Sequence, residues 1–295
     1  MSNRRVETET SMTAKMTCVS RAASSLESND CYRSDDTIAL LHMPTALRVL
    51  LHTFFFRKFF TRVMAPKGIY EYTIARTKYI DAVFRQALLD KYDQILIFGA
   101  GFDSRAVRFQ AELGDTKIFE LDVPITQQAK IDQYQKLEID KPANLVFISI
   151  DFDKESLPEK LEQAGFEKGK RCLFVMEGLL MYLQKESVDQ TFEVIEAFAG
   201  KGSEVVFDYV RAEVLRGKQS SYGEKEIVDT VSKAGEQWTF GFEEGTVEIY
   251  LKGVGLTVSD HFSHDELERM FFTDSTGKTV GRINGAHRLV KAVRL

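Results

Sequence analysis

The sequence predicts an α/β fold: a doubly wound, mostly parallel sheet preceded by an N-terminal helical cap. Two patterns and one turn predict it. Five short apolar runs, QILIF (94–98), KIFEL (117–121), LVFISI (145–150), CLFVM (172–176) and EVVFDY (204–209), read as strands. They are nearly continuous in β-branched and aromatic residues, the mark of strands buried on both faces. Helical stretches at 104–113, 125–137, 154–164 and 185–199 fill the gaps, and strict alternation of this kind builds βαβ units. The first run is followed at once by a glycine-rich turn.

The flanking segments follow in order. Residues 1–30, rich in Ser, Thr and Glu, read as a disordered or partly helical start. Residues 31–90 form the helical cap, with a break near Pro44 and a loop at Pro66-Lys67-Gly68. Residues 70–89 predict a long amphipathic helix, with Ile74, Ile80, Val83, Phe84, Ala87 and Leu88 on one stripe. Residues 91–295 form the sheet domain. Its tail predicts helices at 224–234, 243–252 and 265–272, and closing strands at 256–261 and 288–293.

Composition narrows the class. The chain has 295 residues, 44% hydrophobic and 28% charged, with a formal net charge of −5. That supports a large core and weighs against nucleic acid as a partner. Cys18, Cys31 and Cys172 lack motif spacing, which points to a reducing, cytoplasmic setting. No apolar stretch follows Arg4 and Arg5, so no secretory signal is visible. The most apolar window, FFFRKFF at 54–60, is far too short for a membrane span.

Open α/β sheets bind ligands at the carboxyl ends of their strands. After the first run comes Gly99-Ala100-Gly101-Phe102-Asp103-Ser104-Arg105. Glycines at 99 and 101 allow a sharp turn and close approach to a ligand. Ser104 stands where a dinucleotide fingerprint wants a third glycine, and Asp103 would repel a diphosphate. S-adenosylmethionine has no phosphate and carries two cationic centres, so an acidic turn suits it. The bland alternative is a tight strand-to-helix turn. Asp122, about 20 residues on, ends the second run and can accept from both ribose hydroxyls; Glu120 shares its strand side. The alternative is a helix cap before Pro124. Asp151 and Phe152 after the third run suit an adenine, with Asp153 the better candidate for a helix cap. Glu177 ends the fourth run. A buried carboxylate needs a partner, and a ligand cation would compensate it. Tyr182 is a candidate pocket residue, with a core role equally open.

The motifs GAGFDSR, FELD, DFD and EGLLMYL, in this order and spacing, resemble the leucine carboxyl methyltransferase superfamily, and within it the bacterial polyketide-type O-methyltransferases. Upstream, RAA at 21–23, SDDT at 34–37 and IARTKYID at 74–81 resemble the same family's helical N-terminal region. The resemblance covers about residues 15–295. It implies a seven-stranded Rossmann-like methyltransferase sheet and S-adenosylmethionine as cofactor. It assigns Arg76 to the methionine carboxylate, Gly99 and Gly101 to the methionine side, Asp122 to the ribose, Asp151 and Phe152 to the adenine, and Glu177 to the ammonium group. Periodicity alone would read Arg76 as a solvated helix residue. The stretch TIALLHM at 37–43 lacks the lysine of the phosphatase-methylating members, which weighs against a phosphatase substrate.

The reaction this implies is O-methylation of a small, polyketide-like acid. A carboxylate is already ionised at neutral pH and needs no general base; a phenol would need one. His261 and His264 form an H-x-x-H pair, but Ser263 and Glu266 have capping-box spacing, which favours a structural reading. Residues 54–60 with Tyr70, Tyr72 and Tyr182 are the expected pocket lining; a core cluster and an interfacial helix are the alternatives for 54–60. A nicotinamide-dependent oxidoreductase and a non-catalytic binding protein of the same fold are the rival functions. The catalytic residue and the oligomeric state are not legible.

Overall fold

The computed structural model describes residues 12–151 and 154–295. Ahead of the sheet run α1 (Met12–Ser25), α2 (Ile38–Leu41), α3 (Thr45–His52), α4 (Phe54–Phe59), a π-helical turn (Phe60–Met64) and α5 (Ile69–Leu89). The alternating part follows: β1 (Gln94–Phe98), α6 (Arg105–Arg108), β2 (Lys117–Asp122), α7 (Pro124–Lys136), β3 (Leu145–Ser149), α8 (Leu157–Gln163), β4 (Cys172–Met176), α9 (Lys185–Phe198) and β5 (Glu204–Val210). Then come α10 (Ala212–Leu215), α11 (Glu224–Lys233), α12 (Val247–Gly253), β6 (Thr257–Phe262), α13 (His264–Phe271) and β7 (His287–Val293). The seven strands lie in the order β3-β2-β1-β4-β5-β7-β6; the first five are parallel, and β7 runs antiparallel between β5 and β6.

Successive side chains of a strand point to opposite faces, so each strand feeds two cores. Ile95, Ile97, Ile118, Val175 and Val206 pack under α1 and α5. Leu96, Phe98, Phe119, Phe174 and Phe207 pack against α8, α9 and α12 through Leu161, Phe192, Ile195 and Leu251. A third apolar cluster lies at the ends of β5 and β7. There Val214 of α10, Ile227 and Val231 of α11, and Trp238 close over Met181, Val210 and Ala286.

The structure differs from the sequence expectations in several places. The start expected to be disordered or partly helical contains α1, and its Cys18, Ala22 and Ala23 are buried in the same core as β1. The helix expected over 104–113 is α6 plus a single 3-10 turn (Gln110–Glu112). The helix expected from 243 starts only at Val247, because Gly245 adopts a left-handed φ of 74°. Most of 54–60 is neither core nor pocket lining: Phe54, Phe55, Lys58 and Phe59 are exposed, Phe56 is half-buried against the core, and Arg57 and Phe60 are buried. Tyr70 and Tyr72, by contrast, are buried.

Candidate active site

Parallel pairing brings four strand ends side by side. Phe98 pairs with both Leu121 and Met176, and Asp122 pairs with Ser149. Along this edge stand Asp151, Asp122, Gly99 and Glu177, in the spatial order of their strands. Asp208 of β5 lies one position beyond the Met176–Phe207 pair.

The turn after β1 is shaped by two left-handed glycines, Gly99 (φ 59°) and Gly101 (φ 49°). Gln94 to Phe98 are buried and so is Ala100, yet Gly99 is exposed, which leaves its backbone open at the edge. Asp122 grips the same turn. Its Oδ2 accepts from the Gly101 amide, and its Oδ1 accepts from the Val123 amide at 2.7 Å. Burial pushes the Asp122 carboxyl up, against the pull of those two amides. Its companion Glu120 points into the protein and pairs with Lys130; both are almost wholly buried. Burial drives Glu120 up to about 7, with Lys130 holding against it.

Glu177 corrects the sequence argument. No ligand cation is needed to compensate it. Arg76 Nε donates to its Oε1 at 3.1 Å, and Arg105 Nη2 lies 2.8 Å from its Oε2. Burial would raise this carboxyl, but Arg105, Arg76 and Arg21 outweigh it and hold it at about 2. Arg76 is not a solvated helix residue either. It is buried, and its Nη1 donates to Asp208 Oδ2 at 2.7 Å. Tyr72, one helical turn earlier, donates to the same oxygen at 2.8 Å, and the Gly178 amide donates to Asp208 Oδ1 at 2.6 Å. Gly178 permits the close approach: a side chain there would put its first carbon 3.1 Å from Arg76 Nη1.

The ionic network continues inward. Arg105 Nε reaches Asp81 Oδ1 at 2.8 Å, and Arg105 Nη1 pairs with Asp103. Arg108 Nη1 lies 2.7 Å from Asp81 Oδ2. Arg21 of α1 pairs with Asp36 at 2.9 Å and donates to the Phe102 carbonyl at 2.7 Å. Four guanidiniums thus face five carboxylates, Asp36, Asp81, Asp103, Glu177 and Asp208, leaving one net negative charge behind the glycine turn. An acidic surplus and an open backbone suit a cationic ligand and disfavour a diphosphate.

Sequence reasoning missed Asp208 and the mutual pairing of the charged residues. Asp208 carried a signal: it is the one acid in the interior of an otherwise apolar strand, EVVFDYV. Asp81, Arg105 and Arg21 lay inside recognised motifs, but apart from Asp103 beside Arg105 their partners belong to other motifs of the chain.

Asp151 is half-buried, and its carboxylate meets Lys154 at 2.5 Å. Phe152 and Asp153 lie outside the described residues. Tyr182 is half-buried beneath the α10–α11 cover. Beside Tyr72 a further ring was not foreseen: His287 stacks on it at 4.1 Å, with Trp238 edge-on at 5.3 Å. His287 and Trp238 are buried, and His287 Nδ1 and Trp238 Nε1 find no partner among the described residues. His261 is bound to Glu248 and Tyr209, and Ser263 with Glu266 forms the capping box of α13. Among the described residues no group of His, Cys, Asp and Glu could hold a metal ion, and no helix is long and apolar enough to cross a membrane.

The sheet and its flanking helices match a crystal structure from Thermobifida fusca YX, provisionally described as a methyltransferase, with a TM-score of 0.59, 13% identity and 94% of each chain covered. In sequence the chain is 27% identical over 201 residues to a Bacillus subtilis (strain 168) protein provisionally named S-adenosyl-L-methionine-dependent methyltransferase YktD, covering 68% of this chain and 66% of that one. It is 32% identical over 164 residues to a Mycobacterium avium (strain 104) protein provisionally given the same activity, covering 56% and 50%. The chain thus spans about half to two thirds of the length of these relatives. The model of one family, leucine carboxyl methyltransferase, matches residues 14–196, which contain the glycine turn, Arg76, Asp122 and Glu177. The chain belongs to the leucine carboxyl methyltransferase family.

Proposed function

We propose that this chain is an S-adenosylmethionine-dependent O-methyltransferase acting on the carboxylate of a small, polyketide-like acid. The observation that carries the reading is the edge itself: an exposed Gly99 backbone, the Asp122 carboxylate gripping the same turn, and an ionic network one charge short of neutral behind it. When bound, S-adenosylmethionine supplies an activated methyl group on a sulfonium.

The chain's own part is to bind, orient and exclude water. Asp122 would receive the ribose hydroxyls with the lone pairs that its two amide partners leave over. Asp151 and Phe152 would hold the adenine. Arg76, which gives Nε to Glu177 and Nη1 to Asp208, would offer Nη2 to the methionine carboxylate. Glu177, kept ionised by two guanidiniums, would face the ammonium group beside Gly99 and Gly101. The acceptor would lie under the α10–α11 cover near Tyr182, where His287 Nδ1 and Trp238 Nε1 lack partners.

The titration of these groups favours a carboxylate acceptor. Burial holds Tyr72 well above its ordinary value, and it donates to Asp208. Burial, aided by Arg76, holds His287 well below its own. Neither is poised to take a proton near neutral pH, and an acid that arrives ionised asks for none.

Calorimetry on the purified chain tests the cofactor half: heat with S-adenosylmethionine and S-adenosylhomocysteine, and none with NADH. Incubation with a radiolabelled methyl donor and matched acids and phenols tests the acceptor half. Label that is base-labile, as a methyl ester is, supports the carboxylate; label in a stable phenyl ether refutes it.

A further inference from the structure

Helix α4 is inside out. Its one buried side chain is an arginine: Arg57 is 7% exposed, donating to the Leu51 carbonyl at 2.9 Å and to Glu27 at 3.1 Å. Three of its four aromatic residues point the other way, with Phe55 86% exposed and Phe54 and Phe59 about half exposed, while Phe56 packs half-buried against the core. The face extends onto the neighbouring elements through Val49 of α3 and through Val63 and Met64 of the π-helical turn. Arg57 anchors the helix in this orientation, so the outward aromatics are not a frayed end. Water-exposed phenylalanines in such number are costly, and a contiguous apolar face rimmed by polar groups marks a docking surface.

Charge selects the partner. Between Asp36 and Glu71 the chain has no acidic residue but carries five cations, in a protein of net charge −5; Arg57 is spent inward on Glu27 and Lys67 on Glu226, which leaves Arg48, Lys58 and Arg62 for the outer face. Lys58 and Arg62 are exposed on the rim, and Lys58 Nζ sits 4.3 Å from the Phe54 ring centre. A second copy meeting this face two-fold would set cation against cation. A lipid surface bearing negative headgroups satisfies both parts: the rings enter the acyl boundary while the ammonium and guanidinium groups meet phosphates.

We propose that the α3–α4 face docks reversibly on anionic phospholipid membranes. The same segment leads through Gly68 into α5, which carries Tyr72 and Arg76, so docking would place the candidate active site next to the bilayer.

Vesicle sedimentation of the full chain tests this without any methyl donor, so it stands or falls apart from the enzymatic reading. Phosphatidylcholine vesicles with roughly a third phosphatidylglycerol should retain the protein, and phosphatidylcholine alone should not. Phe55→Ser with Val63→Ser should weaken retention about tenfold or more while leaving the unfolding midpoint unchanged, since both side chains face water. Lys58→Glu with Arg62→Glu should abolish the preference for the anionic vesicles. Equal retention by both vesicle types, retention by neither, or a Phe55→Ser-sensitive dimer in size-exclusion chromatography that leaves lipid binding unaffected by the variants overturns the proposal.

Discussion

Arg105 and Glu177 meet at 2.8 Å, joining the helix that follows β1 to the turn that follows β4. Neither side chain has much water around it: the Arg105 side chain is fully buried and that of Glu177 is 15% exposed. Removing one partner of a buried pair leaves the other charged and unsatisfied. Arg105→Ala should therefore cost about 3–5 kcal/mol, read from urea denaturation. A loss under about 1 kcal/mol would show that water replaces the guanidinium freely.

Asp122 offers a cleaner separation of binding from folding. Asp122→Ala should reduce S-adenosylhomocysteine affinity about tenfold or more, the weight of a charge-assisted hydrogen bond. The glycine turn would lose one amide contact, and Ala100 would still bond to the Leu121 carbonyl at 3.1 Å. Calorimetry showing unchanged affinity would remove Asp122 from the ribose role.

Gly178 is tested by a single methyl group. Its φ is 63°, and an added carbon would stand 3.1 Å from Arg76 Nη1. Gly178→Ala should push the guanidinium off Asp208 and cost about 1–2 kcal/mol from backbone strain alone. Cofactor affinity should fall with it, whereas Gly165→Ala, also at positive φ but with open space around it, should spare affinity.

Acid should unfold the protein in two stages. Burial holds His287 well below its ordinary 6.5 and His42 at about 4. At these two imidazoles the unfolded chain binds protons first, so their contribution to stability falls as the pH drops below about 6.5, against the opposite drift of the raised carboxyl of Glu120. Glu177, held at about 2, adds stability that is complete above its unfolded value of 4.5 and fades as the pH falls towards 2. His287→Phe keeps the ring between Tyr72 and Trp238 and should flatten the first stage. Thermal melts at about pH 7.5 and about pH 5.5 read the difference, and an unchanged drop would place the titration elsewhere.

The parallel half of the sheet is legible because its strands are apolar on both faces and separated by amphipathic helices, so local pattern and global fold agree. The strand-end candidates are legible for the same reason: once the alternation is seen, the position after each run is the ligand edge. The pairing of Arg76 and Arg105 with Glu177 is not legible, since their partners lie 101 and 72 positions apart along the chain. That part of the N-terminal start is helical is legible, but its burial is not, because Ser and Thr dominate its surroundings and the core it joins is supplied by α5 and the sheet. The outward turn of α4 inverts what periodicity predicts, for Arg57 is drawn inward by Glu27 and a carbonyl that only the folded cap supplies.

The position of β7 between β5 and β6 orders events on the ribosome. β6 emerges before the strand that must sit between it and the rest of the sheet, so it waits with no hydrogen-bonding neighbour while β1 to β5 are already able to assemble. The glycine turn and its carboxylates can form in that early half. The late half cannot close until β7 arrives, and in the interval Thr257–Phe262 is an unpaired strand open to chaperones and to wrong partners.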